Sequence, residues 1–206
     1  FEVFRNQSGG SGSGMENSGL KMFIIGITGD DVNEYTLTAV FDVSTASFVD
    51  VYDAATASGN GYPSDIEFSS SGKKMFIVGT QNDSIYAYKL TEHLDISTAS
   101  YADEFLDVDA MVTASGGKNE DSPTGIAFSN DGLKMFVVGD ERDSVHEFKL
   151  TEHFGISTAS YVDSFDFSNE ETAPRDLAFD YSGRYMFILG NTGDDVTVYK
   201  LSEPFD

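Results

Sequence analysis

Two aspartates stand at matching places in repeated segments of the sequence, where carboxylates could bind a cation. Asp65 follows Ser64 in "SDIEF", Asp176 follows Arg175 in "RDLAF", and Gly125 fills the corresponding place in a third copy. Carboxylate oxygens are ligands that Ca²⁺ prefers. If these segments line a common channel, the pair could meet a metal ion near its axis, although ordered water would satisfy the same side chains. The sequence therefore predicts no obligatory cofactor and leaves Ca²⁺ at Asp65 and Asp176 as the metal hypothesis.

A second set of carboxylates falls in four short turns and in the connections that share a rim with them. The turns read "TGDD", "TQND", "GDERD" and "TGDD", and we align their aspartates as Asp31, Asp83, Asp143 and Asp195. The connections add Glu120, Asp121, Glu170 and Glu171. Such a rim could bind Ca²⁺ or a basic partner. Asp and Asn also cap tight turns through side-chain bonds to the backbone, and their recurrence in every copy favours that interpretation.

The three histidines do not form a catalytic pattern. His93 and His153 occupy the same place in two copies of "TEH", and His146 lies in a predicted strand. A catalytic histidine needs a nucleophile or a base partner, and none stands nearby in the sequence. No nucleophile elbow, metalloprotease helix or phosphate loop occurs. We expect no enzyme, with a metal-dependent hydrolase acting at the channel through Asp65 and Asp176 as the alternative.

These residues are positioned by a repeat that returns about every 50 to 60 residues. Its four copies read "SGLKMFIIG", "SGKKMFIVG", "DGLKMFVVG" and "SGRYMFILG". Each copy parses into short strands rich in Phe, Ile, Val and Tyr, separated by turns of Gly, Asn, Asp and Ser. No helical period of useful length is present, and the repeated Met residues are expected to pack between units. The pattern predicts an all-β propeller of four four-stranded blades.

One segment carries a family resemblance. "PTGIAFSNDGLKMFVVGDERDSVHEFKL", residues 123–150, resembles the propeller repeats of the YVTN, surface-layer and lactonase-like type. The chain has no Trp, so it departs from the WD40 and Asp-box patterns. The resemblance implies a propeller fold, and metal-dependent lactonase activity is one function that it allows.

The two ends of the chain suggest how the ring closes. The fourth unit stops before an outer strand, and "FEVF" at residues 1–4 matches the outer strand of the first unit. We therefore expect one domain over residues 1–206, in which residues 1–7 supply the outer strand of blade 4. The remaining predicted parts are a linker-like stretch at 8–14 and blades at 15–54, 63–108, 122–167 and 172–206. The "GGSGSG" stretch is either a natural linker beside a weak inner strand or a tether made by circular permutation. A monomer is expected, and a dimer that exchanges the outer strand is the alternative.

Specificity is expected in the irregular connections at 54–62, 108–122 and 167–172. The middle one is the longest, and no other unit copies it. Its polar residues and a neighbouring tyrosine suit a glycan or a protein surface: Tyr62, Thr113, Ser115, Lys118 and Asn119. The alternative is that the loop varies because nothing constrains it. The sequence predicts a non-catalytic binding or scaffold module with one acidic loop face.

Charge excludes one class of partner. The chain has 12 Lys and Arg against 35 Asp and Glu, which gives a formal net charge of -23. Such a surface repels a phosphate backbone, so no nucleic-acid partner is expected. No apolar run reaches the ~18 residues of a membrane span, so no membrane insertion is expected either. An extracellular, cell-surface or virion-associated location is the working expectation.

Overall fold

Four antiparallel sheets follow one another along the chain. The computed structural model describes residues 19–55, 59, 61–117 and 119–206. Sheet 1 contains β1 (Lys21–Gly26), β2 (Asp31–Leu37) and β3 (Ala46–Asp53). Sheet 2 contains β4 (Pro63–Phe68), β5 (Lys74–Gly79), β6 (Ser84–Leu90) and β7 (Ala99–Asp107). Sheet 3 contains β8 (Pro123–Phe128), β9 (Lys134–Gly139), β10 (Ser144–Lys149) and β11 (Ser160–Asp166), and sheet 4 contains β12 (Pro174–Phe179), β13 (Tyr185–Gly190) and β14 (Val196–Lys200).

The strands of each sheet pair in chain order, as the sequence predicts. Sheets 2 and 3 are four-stranded meanders, whereas sheets 1 and 4 have three strands each within the described residues. The inner strand predicted for blade 1 and the outer strand predicted for blade 4 involve residues 1–18, which lie outside the described part of the chain. The four-stranded unit is thus confirmed twice, and closure of the ring stays a prediction.

Successive sheets pack face to face through their inner strands, β1 on β4, β4 on β8 and β8 on β12. No comparable packing joins β12 to β1 among the described residues. Each boundary holds an apolar cluster, and the repeated Met75, Met135 and Met186 lie in these clusters. Strands β5 and β9 are apolar on both sides because each sheet has a neighbour on both faces.

The sequence pattern did not predict one element: a short helix, α1 (Val108–Ala114), in the long connection between sheets 2 and 3. Asp107 caps it by accepting a hydrogen bond from the backbone N–H of Ala110. Val108 and Val112 are fully buried against the cluster between these sheets. The expectation of no helix was therefore wrong here, because seven residues with two buried positions carry too little periodicity to detect. No helix in the described part of the chain is long and apolar enough to cross a membrane.

A short 3₁₀ turn precedes the outer strand of each of sheets 1, 2 and 3: Val43–Thr45, Ile96–Thr98 and Ile156–Thr158. In the first two, an aspartate accepts a hydrogen bond from the N–H two residues later, at Ser44 and Ser97. Thr45 and its counterparts Thr98 and Thr158 accept bonds from the chain before the turn. The hydroxyl bonds explain why the threonine recurs in these three connections.

Candidate functional site

Asp65 joins two neighbouring sheets. It lies on β4 and is 2% exposed. One carboxylate oxygen accepts the N–H of Ile66 at 2.7 Å, and the other accepts the N–H of Ile126 on β8, also at 2.7 Å. Because both oxygens already accept backbone donors, this geometry gives Asp65 a structural role and lends no support to a metal ion there.

Asp176 lies two sheets further on, on β12. Its Oδ1 accepts the N–H of Leu177 at 2.7 Å. Gly125 stands between the two aspartates, and a Cβ at that position would lie 2.9 Å from the Cα of Asp176. No group of three or more His, Cys, Asp or Glu side chains that could hold a metal occurs in the residues the structure describes. Ca²⁺ binding by Asp65 and Asp176 stays a prediction.

The aspartates of the four turns that follow β1, β5, β9 and β13 have a backbone role. The residues with positive φ in these turns are Asp30, Asp83, Asp143 and Asp194. Asp and Asn tolerate this left-handed conformation better than other residues with a side chain. The structural register corrects the sequence alignment by one residue in two turns, because Asp30 and Asp194, not Asp31 and Asp195, correspond to Asp83 and Asp143.

Two buried glutamates hold the loops of the same rim together. Glu120 is fully buried, and its Oε1 accepts the N–H of Ser122 at 3.1 Å and of Glu141 at 3.3 Å. Glu171 accepts the N–H groups of Thr172, Ala173 and Thr192. Burial alone would raise the pKa of Glu171, but the N–H donors of Ala173 and Thr192 outweigh it and lower the pKa. These two glutamates are clamps between loops rather than members of an open ring of ligands.

The clamps explain the glycine that ends the second strand of the repeat. A Cβ at Gly139 would lie 2.0 Å from the carboxyl carbon of Glu120, and one at Gly190 would collide with Glu171. Glycine at these places leaves room for the carboxylate. The signal was present in the sequence as a shared spacing, because each glutamate stands three residues before the proline that opens a sheet, at Pro123 and Pro174.

The histidines are structural. His146 is 2% exposed, and its Nε2 lies 3.3 Å from Oε2 of Glu120. His93 and His153 are exposed, and their Nδ1 atoms lie 2.9 Å and 2.6 Å from the carbonyls of Ser71 and Asp131. The last two therefore tie equivalent connections to equivalent turns, as their repetition in the sequence suggests.

The residues proposed for ligand binding fall into two places. Thr113 lies on α1, where its hydroxyl donates to the carbonyl of Asp109, and Ser115 ends the helix. Asn119 follows, and its side chain accepts from Arg142 and donates to Asp121. The structure thus brings Thr113, Ser115 and Asn119 into one helix and loop, while Lys118 lies outside the described residues.

Tyr62 lies in the preceding connection. It is 55% exposed and has a φ of 53°. Its N–H donates to Asp30 at 3.1 Å, and its carbonyl accepts from Thr80. These bonds place it beside the turns of sheets 1 and 2.

We name this rim the acidic loop face. It consists of α1, the connections that precede β8 and β12, and the four turns containing Asp30, Asp83, Asp143 and Asp194. Negative charge concentrates around two of these turns, those of Asp83 and Asp143. Burial raises the pKa of Asp83 to about 6, and the carboxylates of Asp121 and Asp109 add to the shift. Burial and then Asp140 raise the pKa of Asp143. Asp107 and Asp109 were not among the sequence candidates, because only the fold brings α1 beside the turn of sheet 2.

Comparisons with known structures agree with this architecture. A candidate 6-phosphogluconolactonase from Bacteroides fragilis matches with a TM-score of 0.57 and 16% identity, over 88% of this chain and 48% of that one. The periplasmic gluconolactonase PpgL of Pseudomonas aeruginosa matches with a TM-score of 0.56 and 16% identity, over 96% of this chain and 48% of that one. Sqt1 from Chaetomium thermophilum matches with a TM-score of 0.53 and 16% identity, over 90% of this chain and 41% of that one. At these identities the likeness shows the fold alone, and the chain spans about half the length of the two lactonase-named relatives.

The sequence comparisons are more specific. No curated protein matches the chain in sequence. Residues 39–204 match the family described as "Lactonase, 7-bladed beta-propeller". Because that match covers most of the chain and agrees with the four packed sheets, this protein belongs to the seven-bladed β-propeller lactonase family.

Proposed function

We propose that the chain is a non-catalytic binding module whose acidic loop face receives a positively charged protein surface. The observation that carries this proposal is the crowding of carboxylates around Asp83. Burial raises the pKa of Asp83 to about 6, and the neighbouring carboxylates, Asp121 and Asp109 first, add to the shift. Groups that repel one another in the free protein are relieved when a cationic partner arrives.

The carboxylates beneath this face hold loops and sheets together. Both carboxylate oxygens of Asp65 accept backbone N–H groups, and Oε1 of Glu171 accepts three of them. Glu120 does the same while contacting His146. The polar groups that remain for a partner lie on the exposed side of α1 and on the turns. This distribution favours a surface that binds over a cleft that reacts.

A decalysine peptide measures the charge preference directly. We expect the affinity of the protein for this peptide to fall steeply between roughly 0.05 and 0.3 M salt, because salt screens exposed charges over this range. The double variant Asp83→Asn with Asp121→Asn should weaken binding about fivefold, at roughly 0.5 kcal/mol per surface charge.

The matched control removes two charges elsewhere. Glu92→Gln with Glu152→Gln changes the same net charge in the connections that follow the third strands of sheets 2 and 3, where both residues are exposed. Equal weakening by both pairs would mean that only the net charge of -23 matters and would refute a site on the acidic loop face. A glycan array with the same variants tests the other expected ligand class around Tyr62 and Asn119.

A second candidate function is hydrolysis of a sugar lactone at the channel, and the family match over residues 39–204 favours it. The acidic surface disfavours an anionic phosphorylated lactone on electrostatic grounds, so an uncharged gluconolactone is the better test substrate. Turnover that is lost in Asp176→Asn would establish this candidate over the binding module. Closure of a four-bladed ring by residues 1–7 and an extracellular location stay predictions.

A further inference from the structure

Asp83 lies among carboxylates that the fold brings to one turn of the acidic loop face. Its carbonyl accepts the N–H of Val108 at 2.8 Å, and this bond ties the start of α1 to the turn. Val108 and Val112 are fully buried in the apolar cluster between sheets 2 and 3. Because the helix is anchored by both this bond and these side chains, α1 stays beside the turn.

The helix contributes two of the carboxylates that act on Asp83, and hydrogen bonds hold both. Asp107 caps α1 by accepting the N–H of Ala110 at 2.8 Å. Asp109 accepts the N–H of Glu120 at 3.1 Å, and this bond also joins the helix to the connection before β8. Because each carboxylate accepts a backbone donor, neither can move away from Asp83 without losing that bond.

The connection before β8 contributes two more carboxylates. Glu120 is fully buried, and its Oε2 lies 3.3 Å from Nε2 of His146. Asp121 is exposed, and its Oδ2 accepts a hydrogen bond from the side chain of Asn119 at 3.1 Å. Arg142 brings a cation to this connection, where its guanidinium donates to the carbonyl and the side-chain oxygen of Asn119. The same hydrogen bonds therefore fix the places of both the carboxylates and the cation.

On the side of sheet 1, the turn of Asp83 meets a connection without charge. Residues 54–62 read "AATASGNGY", so Tyr62 is the one titratable residue of this stretch. Asn82, the neighbour of Asp83, donates to the carbonyl of Gly59 and to the hydroxyl of Tyr86. The turn of sheet 1 adds another carboxylate, Asp30, which accepts the N–H of Tyr62. This side of the turn therefore supplies no cation to balance the carboxylates of α1 and of the connection before β8.

We propose that a proton at Asp83 gates the acidic loop face, so that the face binds a basic protein surface more tightly at neutral pH than in mild acid. The gate rests on the proposed function and adds its regulation. A cationic group beside the turn favours the ionised carboxylate, so the partner expels the proton, and by reciprocity the proton weakens the partner by the same factor. Burial, and then Asp121 and Asp109, raise the pKa of Asp83 to about 6. The exchange therefore falls just below neutral pH.

Decalysine tests the gate, because its ammonium groups stay charged throughout the range from about pH 5 to pH 7.5. Calorimetry at constant ionic strength compares the parent with Asp83→Asn, which keeps a residue that accepts positive φ. At pH 7.5 the variant should bind about twofold more weakly, and near pH 5, where Asp83 of the parent is protonated, the two affinities should coincide. At about pH 6 the parent should release roughly 0.2 proton more per bound peptide than the variant.

Glu92→Gln is the matched control, because it removes one charge from an exposed residue at the opposite end of β6. Its affinity relative to the parent should be the same at both pH values. Both variants keep the three histidines, so protonation of those side chains affects all three proteins alike. If the affinity of Asp83→Asn relative to the parent were also the same at pH 5 and pH 7.5, the gate would be wrong and the proposed function would stand. A parent that binds no decalysine at pH 7.5 would instead overturn the proposed function, and the gate with it.

Discussion

The second and fourth sheets are built from nearly the same sequence pattern, yet one is buried on both faces and the other on one. Val78 and Ile85 in sheet 2 are inaccessible, while Leu189 and Val196 at the same places in sheet 4 are about half exposed. Intrinsic strand preference is the same in both, so the difference comes from the neighbouring sheet. The comparison teaches that the repeat determines the strand, while its place in the array determines how much each side chain contributes to stability.

The largest expected difference concerns the glycine that ends the second strand. Gly139→Ala places a Cβ about 2 Å from the carboxyl group of Glu120 and must displace a buried charge. We expect a loss of roughly 3–5 kcal/mol in the free energy of unfolding. Gly26→Ala is the matched change in sheet 1, where no atom lies within 4 Å of the added Cβ, and should change it by less than about 1 kcal/mol. Urea denaturation measures both, and equal losses would refute the role of the clamp.

The second-largest loss of stability is expected at Asp65, whose carboxylate joins sheets 2 and 3. Asp65→Ala leaves the buried N–H groups of Ile66 and Ile126 without their acceptor, so unfolding free energy should fall by roughly 2–4 kcal/mol. Asp176→Ala should cost less, below about 1.5 kcal/mol, because Asp176 is only partly buried and its bond to Leu177 lies within one strand. Amide hydrogen exchange at Ile126 provides a local measure. Protection there that survives Asp65→Ala would contradict the bridge.

The third comparison makes the same substitution, valine to alanine, at equivalent positions of sheets 3 and 4. Val145→Ala removes two methyl groups from a side chain that is 4% exposed and should cost about 2 kcal/mol. Val196→Ala makes the same change at 53% exposure and should cost no more than about 0.5 kcal/mol. Urea denaturation measures both losses. Equal losses at the two positions would contradict the view that the neighbouring sheet sets the contribution of this side chain.

Sequence reasoning found the parts of the fold that local pattern encodes. The repeat that contains Met75, Met135 and Met186 predicted the strands, their order and the packing of these residues between sheets. It placed Asp31 and Asp195 one residue out of register, because only pairing with the neighbouring strand shows which residue of "GDD" takes the positive φ. It missed α1, whose two buried valines meet sheets that are distant in the sequence.

The candidate site was less accessible to sequence reasoning. The carboxylates of the rim were recognised, but their roles depend on partners far along the chain. Glu120 meets Glu141 and His146 through space, and Asp65 meets a backbone donor 61 positions later. Composition and spacing show that a carboxylate is present, whereas the fold decides whether it faces solvent or a buried N–H group.

The smallest expected effect concerns the charge at Asp83 and its dependence on pH. The folded protein raises the pKa of this carboxyl from 3.8 to about 6, so the folded state binds the proton more readily than the unfolded state. Stability contributed by the protonated form is therefore present at pH 4 and is lost as the pH rises towards and through 6. Asp83→Asn removes the charge and keeps a residue that accepts positive φ. Because Asp83 is partly exposed and solvent screens its neighbours, the gain in unfolding free energy at pH 7.5 should be only roughly 0.5–1 kcal/mol.

Thermal unfolding at two pH values checks this expectation. The variant should melt about 1–4 °C above the parent at pH 7.5, and the two should coincide near pH 4, where Asp83 is protonated in the folded parent. Asp103→Asn is the matched control, because Asp103 also has a positive φ but lies on the outer strand of sheet 2, away from the acidic loop face. A gain that persists at pH 4, or that appears equally in the control, would mean that asparagine simply suits the turn. A gain confined to Asp83 and to neutral pH would show that its charge, half-buried among other carboxylates, weakens this face, which is the cost that a cationic partner would relieve.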